Sequence, residues 1–100
     1  MDDNDTLALQ IAAAAVTAMD VTYRNSDALG QVQLQDVRDH LWTAYAVARN
    51  RLMASGVIVT NDQLDQMKQL QGDLNAAADQ MAFAGAAVKL AGILARIALV

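Results

Sequence analysis

MAFAGAAVKLAGILARIALV, residues 81–100, decides how the rest of the chain is read. Wound as a helix it is apolar almost all the way round, interrupted only by Lys89 and Arg96. A helix of that kind has to be covered on most sides, and a chain of 100 residues has little to cover it with. The first expectation is therefore a cover supplied by other copies of the chain or by a partner protein.

Working upstream, the same periodicity continues. Met67, Leu70, Leu74, Ala77, Met81, Ala84, Val88, Ala91, Ala95 and Ala98 alternate spacings of three and four, a coiled-coil-like seam of unusually small side chains. A second stripe, Phe83, Ala87, Leu90, Leu94 and Ile97, appears only in the C-terminal half. Thr60, with Gln63 three residues on, has the form of a capping box. These features predict one helix over about 61–100. Gly85 is the alternative break, but a helical glycine costs only about 1 kcal/mol, so the continuous helix is preferred.

Two shorter helices precede it. One is expected over about 5–23, capped by Asn4 or Asp5, with the stripe Leu7, Ile11, Ala14, Ala18 and Val21. Asp2, Asp3 and Asp5 suit the positive end of its dipole. The other is expected over about 31–54, with Leu34, Val37, Leu41, Ala44, Ala48 and Leu52 on its seam and Gly56 as its left-handed cap. Its start could instead lie at Ser26, with Gly30 inside. Val57-Ile58-Val59 reads as an extended connector pinned against the bundle.

At ~1.5 Å per residue the third helix would be about 60 Å long against about 36 Å for the second. The short connector would make the two antiparallel neighbours, leaving the doubly striped end uncovered. The predicted fold class is thus all-α: a single helical domain over residues 1–100, a three-helix up-down bundle with a long C-terminal helix completed by oligomerisation.

Composition narrows the function. The chain carries 55% hydrophobic but only 4% aromatic residues, no proline and five glycines, which favours long, closely approaching helices. With no cysteine, disulfides, thiolate chemistry and Cys-ligated zinc are excluded. A net charge of −4 argues against nucleic acid as a partner. The opening Asp2-Asp3-Asn4-Asp5 is the opposite of a signal peptide's basic region, and the uncharged run from Thr6 to Met19 is short for a span. A cytoplasmic protein is expected. All eleven acidic residues are Asp.

Motifs with chemistry are sparse. His40 has Asp36 one turn before it, a pair better read as a helix contact than as a two-ligand metal site. Asp62 and Asp65 read as first-turn residues, and Arg49 and Arg51 as solvated cations near a helix end. The tract Asp2–Asp5 lacks the glycine and distant Glu of a calcium loop. No family is assigned: Trp42-Thr43-Ala44 lacks the glycine of small WXG-type helical hairpins, and a proline-bearing turn of the secretion-needle kind is absent.

No enzyme and no cofactor are expected. The predicted role is a helical protein–protein interaction module of accessory, immunity or antitoxin type, binding itself or another protein through Met81, Phe83, Val88, Leu90, Ile93, Leu94 and Ile97. A self-assembling structural or secretion-associated subunit is the alternative, and membrane-surface binding by the C-terminal helix a weaker one. Tyr23, Arg24, Asn25 and Asp27 form a second candidate, a polar recognition loop.

Overall fold

The structure, a computed structural model, describes residues 3–55 and 58–99. Among the described residues there are four helices and no strand. They are α1 (Asp3–Asn25), α2 (Ala28–Ser55), α3 (Asn61–Ala76) and α4 (Gln80–Ala98). Gly56, the expected cap, and Val57 lie outside the described residues, as do Asp2 and Val100.

The expected long third helix is two helices. The break falls at Ala77-Ala78-Asp79, upstream of Gly85, which sits exposed inside α4. Asp79 is extended (φ −147°, ψ 175°), and its Oδ1 accepts the Ala82 N–H at 2.8 Å. The physical reason is burial. A continuous helix would leave Phe83, Leu90, Leu94 and Ile97 bare, whereas after the reversal their exposures are 8%, 0%, 0% and 0%. At roughly 1.5–3 kcal/mol per large side chain, that gain outweighs a few lost helical hydrogen bonds, part of which the Asp79 cap restores. The fold-back also removes the need for an external cover on α4. The first stripe stops being a seam at the break, with Met67, Leu70 and Leu74 buried but Met81 and Val88 exposed.

Nor are α2 and α3 neighbours. Their described residues do not touch, and α1 meets α4 only slightly. The adjacent pairs are α1–α2, α2–α4, α4–α3 and α3–α1. Gln80 at the start of α4 donates to Gly30 O and Gln33 Oε1 at the start of α2, so α2 and α4 run parallel. Two antiparallel hairpins thus lie side by side, and the α2–α3 connector crosses the bundle end on its diagonal.

That crossing is held by α1. Asp5, fully buried, accepts the Val59 N–H at 2.9 Å and the Ile58 N–H at 3.2 Å through Oδ1. Asn4 adds bonds from Nδ2 to Val59 O at 3.3 Å and to Asn61 Oδ1 at 2.8 Å. Asp5 is therefore a core residue of α1 instead of its cap. With it the buried face runs Asp5, Ala8, Ile11, Ala12, Ala15, Val16 and Met19, displaced from the expected stripe, of which Leu7, Ala14 and Val21 are exposed.

The remaining signals sit closer to expectation. The Thr60–Gln63 capping box is present in full, with both bonds at 3.1 Å. On α2 the seam residues Leu34, Leu41, Ala44, Ala48 and Leu52 are buried and Val37 is half-buried. That helix starts at Ala28, with Asp27 Oδ1 accepting the Gly30 N–H at 2.7 Å. Gly30 is needed for close approach: a Cβ there would come within 2.9 Å of Ser26 Cβ and 2.8 Å of Gln80 Oε1. At Gly72 a Cβ would meet nothing within 4 Å.

Urea unfolding tests both kinds of contact. Asp5→Ala strands the connector amides and should lower stability by about 2–4 kcal/mol. A wild-type midpoint would show that the connector docks without the carboxylate. Gly72→Ala should raise stability by roughly 0.5–1 kcal/mol and Gly30→Ala should lower it. The same sign at both positions would contradict the packing described at Gly30.

Candidate functional site

Two surface features stand out, one polar along α1–α2 and one apolar along α2–α4. The polar one is built by the hairpin register. Asp20 of α1 faces Arg38 and Trp42 of α2, one helical turn apart. Its Oδ1 accepts Arg38 Nε at 2.9 Å and Trp42 Nε1 at 3.1 Å. The Arg38 guanidinium lies over the Tyr23 ring at 4.9 Å, and Tyr45 packs edge-on against Trp42 with centroids 6.2 Å apart. Arg24 Nε adds a bond to Asp20 O at 3.4 Å. Partial burial pushes the Asp20 carboxyl up, but the hydrogen bonds from Trp42 and Arg38 and the charges of Arg38 and Arg24 outweigh it. The net effect holds it below the usual carboxylate range.

This cluster takes in part of the predicted recognition loop, whose residues also make contacts within the chain. Tyr23 O accepts Ser26 N–H and Gln31 Nε2 at 3.2 Å each, Arg24 sits in the last turn of α1, and Asp27 caps α2. Asn25 is the last, exposed residue of α1. The four residues close an inter-helical turn. Asp20, Arg38 and Trp42, which give the cluster its charge and ring area, lie one or more turns away along the helices, and no loop-centred reading would collect them.

The apolar feature is a groove of about 270 Å³ between the parallel helices, lined by His40, Thr43, Ala44 and Val47 of α2 and Ala95, Ala98 and Leu99 of the α4 end. Val47 is 48% exposed and Leu99 87%. A second recess lies upstream on the same seam, lined by Gln33, Leu34, Gln80, Met81 and Ala84. Its Met81 is 84% exposed. His40 thus stands on the rim of an apolar groove, and no ion pair to Asp36 forms.

Of the seven residues predicted as an interface, Phe83, Leu90, Ile93, Leu94 and Ile97 lie in the bundle's own core, and Met81 and Val88 lie on the outer face of α4. The groove residues Val47, Ala95 and Leu99 were missed. Their signal is Val47, a large apolar residue off the α2 seam, facing small residues on α4. Among the described residues no three His, Cys, Asp or Glu side chains gather as metal ligands. Comparison with protein-family models, curated proteins and solved structures finds no match to this chain.

Because the folded-state pKa of Asp20 is lowered, its contribution to stability is present above the unfolded value of 3.8 and lost as pH falls through the folded one. Trp42 fluorescence reports that titration through the shared hydrogen bond. It should change with a midpoint below 3.8 and stop responding in Asp20→Asn. A midpoint above 3.8 would contradict the hydrogen-bonded arrangement.

Proposed function

We propose that the protein is a non-catalytic helical interaction module whose α2–α4 groove takes the apolar face of a helix from another protein. The observation that carries this reading is the groove itself: an open, apolar seam with His40 and Thr43 as its only polar lining and with Val47 and Leu99 left exposed beside it. Recesses of this kind between helices accept an amphipathic helix through anchors one and two turns apart. Met81 and Val88, on the same helix as Leu99, extend the apolar strip along α4. The role of an accessory, immunity or antitoxin-like protein is consistent with a small chain that works by covering a partner's surface.

A second reading rests on a separate observation. Helices α1 and α4 are each long and apolar enough to cross a membrane, although 33% and 44% of their most apolar windows are buried in the fold. Under that reading the outer face of α4 would lie on a bilayer with Lys89 and Arg96 at the headgroups.

A photoreactive residue placed at Val47 separates the two. In the protein's native cells it should form one discrete protein adduct that the same probe at Lys68, exposed on α3, does not give. Once that partner is purified, Val47→Asp should weaken binding at least about tenfold. Lipid adducts at Val47, together with flotation of the pure protein on anionic vesicles, would replace the first reading with the second. Identical patterns at both positions would remove the groove as a site.

A further inference from the structure

On the flank of α4 turned away from α2, a different pattern is present. Asp62, Gln66, Gln69 and Asp73 recur on α3 at intervals of four, three and four, and Gly85, Lys89, Gly92 and Arg96 recur on α4 at the same intervals. The two rows border one long recess. One part, about 430 Å³, is lined by Gln66, Gln69 and Asp73 against Lys89, Gly92 and Arg96, over a floor of Leu70 and Ile93. The next part, about 450 Å³, continues from Asp73 and Lys89 to Gly85 and Ala82. Along the recess α3 therefore sets two amides and the Asp73 carboxylate beside the Lys89 and Arg96 cations of α4. Among the described residues, no carboxylate comes within 4.0 Å of Lys89 or Arg96. At Gly85 and Gly92 a Cβ would meet nothing within 4 Å, so the α4 ridge is low at two points between its cations.

We infer that this face pairs with the same face of a second copy of the chain, about a two-fold axis parallel to the helices. Symmetry and charge together select that arrangement. A two-fold axis lying across the helices sets α4 on α4 in opposite directions, with the cation rows against each other. An axis along the helices exchanges the rows while keeping every residue at its own height. Asp73 and Lys89 both line the boundary between the two parts of the recess and so stand across it from each other, while Gln66 and Arg96 line the part beyond. Each Lys89 then meets the other copy's Asp73, and each Arg96 meets the other copy's Gln66. At Gly85 and Gly92 the α4 ridge is low beside its cations, which lets the other copy's α3 approach closely. This face is separate from the α2–α4 groove, and the inference stands whether or not that groove holds a partner.

The contact is small. With α3 roughly 24 Å long and two helices about 20 Å wide, each copy offers about 500 Å², below the ~800 Å² per partner of a standard interface. The association should therefore be weak, reversible and salt-sensitive, with charge deciding it.

Sedimentation equilibrium on the full chain at low salt, from about 10 to about 500 μM, tests it. The wild type should pass from monomer to dimer within that range. Lys89→Asp alone and Asp73→Lys alone should each weaken dimerisation at least about tenfold, since every copy then meets its own sign. Both positions are exposed, so helicity by circular dichroism should be unchanged. Mixed in equal amounts, the two variants should recover the dimer. In the proposed pairing the heterodimer sets the carboxylate introduced in one variant against the ammonium introduced in the other, and the native Asp73 of the first against the native Lys89 of the second. A wild type that stays monomeric throughout, variants that dimerise like the wild type, or a mixture that stays monomeric would each overturn the inference.

Discussion

The contact on which the architecture depends is the buried carboxylate of Asp5 against the amides of Ile58 and Val59. Joining two hairpins side by side with α2 parallel to α4 requires the chain to leave one corner of the bundle and enter the opposite one. At the end of the connector Ile58 and Val59 turn their backbone N–H groups inward, where each unpaired amide would cost about 1–3 kcal/mol. A carboxylate can satisfy two such amides at once. Placed in the first turn of α1, it is also stabilised by the unpaired N–H groups of its own helix. No cation is needed, and among the described residues none pairs with it. Asn4 then fixes the start of α3 against the start of α1.

The same short carboxylate recurs wherever this fold turns. Asp27 holds Gly30 N–H at the entry of α2, and Asp79 holds Ala82 N–H at the entry of α4. Asp20 ties α1 to α2 through Arg38 and Trp42. Where the core is alanine, as at eight of its 24 buried hydrophobic positions, hydrophobic contact leaves the relative positions of helices less tightly specified, because small side chains interlock little. Directional bonds from side chains with few rotatable bonds supply part of that specification. Aspartate suits the task better than glutamate, whose longer chain loses more rotamer freedom when fixed. This gives four of the eleven aspartates a physical reason.

How far the sequence could be read follows from that division of labour. Helix content, the α2 seam, the Thr60 capping box and the Ile58-Val59 part of the pinned connector were legible, because each is written in local periodicity, in a single cap or in a short apolar run. The all-round apolarity of residues 81–100 was legible too, as a demand for cover. What was not legible was the source of the cover. The seam of small residues runs through Ala77 and Met81 without a change of spacing, so periodicity alone carries the helix past the point where it stops. Only Asp79, a capping residue ahead of an apolar run, marks the turn, and Gly85 is the more conspicuous break. The α1 face was misplaced for a related reason. Asp5 opens the buried row, and a charged residue is excluded from a hydrophobic stripe unless its backbone partners, more than fifty residues away, are known.

The reversal at Asp79 changes what α4 means for function. A continuous helix would present Phe83, Leu90, Leu94 and Ile97 to a partner as a broad apolar surface, and association would be obligatory. Folded back, α4 spends those residues on α2 and α3, and what it leaves outside is narrow. Towards α2 remains a strip of Met81, Val88 and Leu99 beside an apolar groove. Towards α3 remains a row in which glycine alternates with an unpaired cation. Neither residue set is large enough to drive tight association by area alone, so any partner on either flank would have to be selected by chemistry: apolar anchors on one, a carboxylate on the other. Because the fold buries α4 within one chain, any such contact could form and be released, which an obligatory dimer of three-helix subunits could not do.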